Sequence, residues 1–102
     1  MFARISTYKM KPESVADAEA KLEQLMPRIM GMDGIVAFTN AIDADGNGVV
    51  VSVVESEEKS NANREEVEKI WAEFSTYLEE PPTMGGYRVI AHESNQASSS
   101  LR

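Results

Sequence analysis

The chain has no cysteine among its 102 residues and a single histidine, His92. The first absence excludes disulfides, thiolate nucleophiles, cysteine-ligated zinc and iron–sulfur clusters. The second excludes a metal centre made of several histidines from one chain. Basic residues are outnumbered, 10 Lys+Arg against 17 Asp+Glu, which leaves a formal net charge of −7. Such a field repels phosphate backbones and anionic headgroups, so neither nucleic acid nor a membrane surface is expected as a partner. Apolar runs such as Val49-Val50-Val51 fall far short of the roughly 20 residues a membrane-spanning helix needs. Met1 leads straight into a strand-like segment without a basic and then apolar leader, so the expected location is cytoplasmic.

What is present is periodicity. Phe2 to Met10 mixes aromatic, β-branched and polar residues before Lys11-Pro12 and reads as a strand. Pro12 suits the first turn of a helix, and Val15, Ala18, Leu22, Leu25, Ile29 and Met32 then recur at steps of three and four. Pro27 removes a donor to the carbonyl of Glu23, which predicts a kink or restart there. Ile35 to Ile42 and Gly48 to Glu55 read as strands joined by a polar hairpin, Asp43 to Asn47. After the acidic loop Ser56 to Lys59, the residues Val67, Ile70, Trp71, Phe74 and Leu78 share one face of a second helix. Asn63 followed by Glu66 offers a capping box for it. Pro81-Pro82 and Gly85-Gly86 then lead to a last strand, Tyr87 to His92. The expectation is one domain over 1–93 and a disordered serine-rich tail over 94–102.

The order βαββαβ predicts an α+β fold of ferredoxin-like type, a four-stranded antiparallel sheet with two helices on one face. The third strand adds a condition. Val49, Val51 and Val53 point to one side of the sheet and Val50 and Val54 to the other, so both faces are apolar. Helices cover only one of them, and a two-fold partner presenting the same face is the simplest cover for the other. A homodimer is therefore expected.

Few residues carry chemistry on their own account. Asp43-Ala44-Asp45-Gly46-Asn47-Gly48 matches the opening of a calcium loop, but position twelve holds Val54 where a bidentate Glu is required, and strand sequence follows in place of a helix. It reads as a turn, and no metal is expected. His92 is a candidate general base or a polar edge residue. Trp71 is a candidate cavity wall or a core residue. Tyr8, Tyr77 and Tyr87 are candidate hydroxyl donors to the same cavity. Met26, Met30 and Met32 read as fillers of an irregular gap or as a pliable apolar lining. The acidic pairs Glu57-Glu58, Glu65-Glu66 and Glu79-Glu80 read as solvated surface.

With Lys11-Pro12 opening the first helix, Met32-Asp33-Gly34-Ile35 entering the second strand and Val53-Val54-Glu55 leaving the third, the chain resembles the antibiotic biosynthesis monooxygenase family over about residues 2–92. The resemblance implies a dimeric α+β barrel with a ligand cleft between sheet and helices in each subunit. It also implies, as candidate activities, cofactor-free oxygenation of polycyclic phenols, haem degradation or isomerase-like chemistry. Oxygenases of this kind use asparagine, tryptophan and tyrosine in the cleft, and Asn63, Trp71 and Tyr87 are the nearest counterparts here. Two features depart from the pattern: no histidine occurs between Asn61 and Glu80, where haem-binding relatives carry an axial ligand, and Ser56 stands where many relatives have tryptophan. The candidate site is thus His92, Trp71, Asn63 and Tyr87, with no cofactor, and a small aromatic or carbonyl compound, foremost a mostly apolar ring compound, as ligand. A cofactor-independent monooxygenase or isomerase and a non-catalytic dimeric binding protein both fit, and the placement of Arg4, Arg88 and His92 relative to Trp71 discriminates them.

Overall fold

The structure, a computed structural model, describes residues 1–95. Strand β1 (Phe2–Lys9) leads through a 3-10 turn (Pro12–Ser14) into helix α1 (Val15–Met30). Strands β2 (Ile35–Ile42) and β3 (Asn47–Val54) form the hairpin, and helices α2 (Glu57–Ala62) and α3 (Arg64–Phe74) follow. A second 3-10 turn (Ser75–Tyr77) precedes strand β4 (Thr83–Arg88). The strands make one antiparallel sheet in the order β2-β3-β1-β4, which is the ferredoxin-like arrangement that the apolar pattern predicts. From residue 96 on, the expected tail lies outside the described residues.

Three local expectations need correction. Of the kink or restart expected at Pro27, the restart does not occur, since helix α1 runs through Pro27 to Met30 as one element. The carbonyl that loses its donor belongs to Glu23, and both residues are exposed, so that oxygen is left to solvent. The second helical segment begins at Glu57, because the Ser56 hydroxyl accepts from the Lys59 amide at 3.2 Å and caps it. Asn63 is no side-chain cap: its N–H donates to the Lys59 carbonyl (3.1 Å), its carbonyl accepts from Val67 (2.9 Å), and its side-chain amide donates to the Asp33 carbonyl (2.9 Å). The chain thus passes from α2 into α3 at Asn63, whose φ of −88° and ψ of 1° leave the helical region while both its backbone groups keep a helical partner. The last strand, finally, is Thr83–Arg88 rather than Tyr87 to His92. Gly86 belongs inside it because a Cβ there would fall 2.6 Å from Cζ of Phe2 on the adjacent strand.

Residues two apart at the end of β1 and just beyond it, and residues four or seven apart along the helical segments, meet to form the core. Tyr8, Met10 and Val50 from the sheet pack with Ala18, Leu25 and Ile29 of α1 and with Ile70, Phe74 and Leu78. Ile29 is the most enclosed, at 2% exposure. Charged side chains tie α1 to α3 above this core. Arg28 pairs with both Glu66 and Glu73, and Lys21 reaches Glu73 at 3.0 Å. At the hairpin, the Asp43 carboxylate accepts from the amides of Asp45 and Asn47, both at 2.9 Å, so it is engaged in closing the turn.

The face turned away from the helices is laid out by the register. Its three central rows are Ala37-Val53-Ala3-Tyr87, Thr39-Val51-Ile5-Gly85 and Ala41-Val49-Thr7-Thr83. None of these side chains is charged. The alternation of the valines on β3 is therefore as the sequence predicts, with Val50 in the core and Val51 central on the open face.

Candidate functional site

The strand period of two places Arg4, Ser6, Tyr8 and Met10 on the helix side of β1, next to Val50, Ser52 and Val54 of β3. Small residues at Ser6 and Ser52 leave the helices unable to fill the space above them. A cleft of about 470 Å³ results, bounded by the sheet, α1, α2 and α3 and open to solvent on one side, within the range of roughly 300–1,000 Å³ typical of small-molecule sites.

One part of the cavity is aromatic. Tyr8 and Trp71 meet at 5.8 Å between ring centroids, inclined by 59°. The Tyr8 ring lies across β3, over Gly48, where a Cβ would fall 2.0 Å from its Cζ. From there its hydroxyl donates to Oδ1 of Asn40 on β2 at 2.6 Å. Burial pushes the Tyr8 phenol above its ordinary 10.0, and the bond to Asn40 only partly offsets the effect. Tyr8 is accordingly a neutral donor at physiological pH.

The other part is polar. Arg4 is held over the Phe2 ring at 5.3 Å, and its Nη2 donates to Oγ of Ser60 at 2.9 Å and to Oδ1 of Asn61 at 3.4 Å. Ser6 and Ser60 are buried, and Ser52 stands directly across from Arg4 on β3. Asn63 also lines the cavity, with its amide nitrogen committed to the Asp33 carbonyl.

The structure brings two of the four expected site residues together, Asn63 and Trp71, both on the cavity wall. Tyr87 lies on the open face, 55% exposed, with its ring folded back over Gly85. His92 follows β4 in an exposed segment, and neither it nor Arg88 lines the cavity. Of the methionines near the end of α1, Met32 lines the cavity, Met26 packs against the core and Met30 is exposed. The polar residues not singled out beforehand are Asn40, Ser6, Ser52 and Ser60 and, at the cavity rim, Glu19, Arg64 and Glu68. A signal for Ser6 was its alternation with Arg4 and Tyr8 on β1, whereas Asn40 is revealed only by the strand register, through which Tyr8 reaches β2.

No family model matches the chain, and no curated protein is found as a relative. Solved structures do match. A protein of unknown function from Nitrosomonas europaea, NE2512, superposes with a TM-score of 0.77 at 18% identity, covering 91% of this chain and 92% of its own. Another Nitrosomonas europaea protein, assigned as an antibiotic biosynthesis monooxygenase, gives 0.75 at 14% identity over 89% of this chain and all (100%) of its own. Rv0793 from Mycobacterium tuberculosis gives 0.73 at 17% identity over 91% and 98%. The fold is that of the antibiotic biosynthesis monooxygenase-like proteins. At these identities the likeness concerns the backbone, so the chemistry of this chain has to be argued from its own side chains.

Proposed function

We propose that the chain acts as a homodimer in which each subunit binds a small, mostly apolar ring compound in the cavity between sheet and helices. The observation that carries this reading is the cavity itself, with Trp71 and Tyr8 on its wall and a small number of hydrogen-bonding groups, Asn63 among them, at fixed positions. Apolar enclosure with a few placed polar groups is the usual composition of a small-molecule site. The dimer follows from the uncharged rows on the open face, which a second copy would cover with an identical surface. On this reading Tyr87 belongs to the interface, and His92 has no part in the cavity.

A second reading, cofactor-independent oxygenation of a flat phenol, is favoured by the names of several structural neighbours. It requires a base to take the phenolic proton and donors to hold the resulting oxyanion. Glu19 and Glu68 line the cavity as candidate bases, and Arg4 supplies a donor.

Because Trp71 is the only tryptophan, its emission reports on the cavity directly. Titration with flat phenols and quinones at micromolar to millimolar levels should change it, and an oxygen electrode then separates the two readings. Oxygen uptake with a bound phenol supports the oxygenase, and binding without uptake supports a carrier or sensor. Emission indifferent to every ring compound tried refutes both.

A further inference from the structure

Among the described residues, four charged ones line the cavity: Arg4, Arg64, Glu19 and Glu68. Arg64, Glu19 and Glu68 are exposed, whereas Arg4 alone is drawn in from solvent. Among the described residues Arg4 has no carboxylate within ion-pair distance, although the chain as a whole carries a net charge of −7. Its partners are neutral: the Phe2 ring, the Ser60 hydroxyl and the Asn61 amide oxygen. Gly86 on β4 gives the guanidinium its room, since a Cβ there would stand 3.1 Å from Nη1. A half-buried guanidinium that is positioned but not neutralised keeps much of its electrostatic attraction for an anion, and its planar fork matches a carboxylate.

Resting on the reading that the cavity binds a ring compound, we propose that the ligand is a planar ring acid whose carboxylate docks on Arg4. The Ser6, Ser52 and Ser60 hydroxyls surround that group, and the ring body extends along β1 toward Tyr8 and Trp71. Four residues of strand separate Arg4 from Tyr8, about 13 Å at the usual rise, a span suited to a two- or three-ring acid. The hydroxyls supply donors to the second carboxylate oxygen, and Trp71 and Tyr8 supply the apolar slot. The same placement disfavours an isosteric neutral amide, whose –NH₂ would face the guanidinium with no acceptor to offer it.

The test compares 2-naphthoate with 2-naphthamide, which share a ring and nearly a shape, by isothermal titration and Trp71 emission at pH 7. The wild-type chain should bind naphthoate at least tenfold more tightly. Arg4→Gln should erase that preference while retaining naphthamide binding, and Arg4→Lys, which keeps the charge but not the fork, should retain part of it. Lys69→Gln removes the same charge from an exposed position off the cavity and should leave the preference intact. Thermal melts establish that each variant is folded. Should Arg4→Gln fail to fold, the Arg4→Lys variant decides, because an undiminished preference there overturns the fork. Equal affinity of the wild type for the two compounds overturns the Arg4 anchor and leaves the ring-binding reading standing. Failure of both compounds to bind, together with the whole phenol and quinone series, removes the anchor and the reading together.

Discussion

Val51→Asp places a carboxylate at the centre of the open face, in the row Thr39-Val51-Ile5-Gly85. In a lone subunit this site is only half-buried and the carboxylate stays hydrated. In the proposed dimer it would be enclosed, and its least costly escape is to take up a proton. At pH 7 that uptake costs about 4 kcal/mol for an aspartate of ordinary pKa near 3.9. A two-fold interface contains the substitution twice, so the penalty is about 8 kcal/mol, or nearly six decades in dissociation constant. Analytical ultracentrifugation or light scattering should find the unaltered chain at twice its 11.3 kDa mass and the variant at the single mass. Acidification provides an internal check: at pH 5.5 protonation costs only about 2 kcal/mol per copy, so some three decades of affinity should return. Val51→Thr, which introduces no charge, should remain dimeric. A monomeric wild type at micromolar concentration, or a Val51→Asp variant that stays dimeric at pH 7, would refute the assignment of this face.

Ile29→Ala, at the most enclosed position of the core, should lower unfolding free energy by about 2–5 kcal/mol in chemical denaturation. Arg28→Met removes the partner whose hydrogen bonds hold the Glu66 and Glu73 carboxyls below their ordinary 4.5. A depressed carboxyl stabilises the fold above its unfolded pKa and loses that contribution as pH falls through the folded value. The stability gap between wild type and Arg28→Met should therefore be fullest above pH 4.5 and close on acidification, and a gap that widens in acid would contradict the sign. Tyr8→Phe should remove a phenol that ionises above 10.0 in ultraviolet titration. Because the unfolded phenol ionises first, wild-type stability should also fall as pH rises past 10.0, more steeply than that of the variant.

The fold was legible because its signals are local and redundant. Val15 through Met32 at helical spacing, and valines alternating across β3, each need only a dozen residues to be read. The elements misplaced from sequence are those decided by distant partners. Gly85-Gly86 reads as a turn until Phe2 and Arg4 are set beside Gly86, and then that glycine is what allows β4 to close on β1. Asn63 reads as a cap until the Asp33 carbonyl is brought to its side chain from the far end of α1. The site was less legible for the same reason. Trp71 announces itself by its helical neighbours, but the pairing of Tyr8 with Asn40 crosses an intervening strand and depends on Gly48 having no side chain. Tyr87, chosen by residue type, falls on the open face because strand parity puts it beside Ala3 rather than beside Arg4.

The cavity and the core compete for the same layer, and the sequence divides it between them. Toward Met10 and Leu78, which pair as an isolated bridge, Phe74 and Ile70 fill the space between α3 and the sheet. Toward Arg4 the sheet offers serines where a core would need branched apolar groups, so helix and sheet stand apart. An unfilled layer of this kind costs contact energy and tends to collapse. Side-chain ties oppose the collapse here: Arg28 and Lys21 hold α3 to α1 through Glu66 and Glu73, and Asn63 fixes the start of α3 to the loop before β2. These ties are on or near the surface, where ion pairs add little to stability individually. Their contribution is positional, because they set the spacing between α1 and α3 without placing apolar bulk in the space beneath. A chain selected only for stability would gain by replacing Ser6 and Ser52 with valine and leucine. Small polar residues on the sheet beside a positioned guanidinium are what a ligand site requires and a packed core does not.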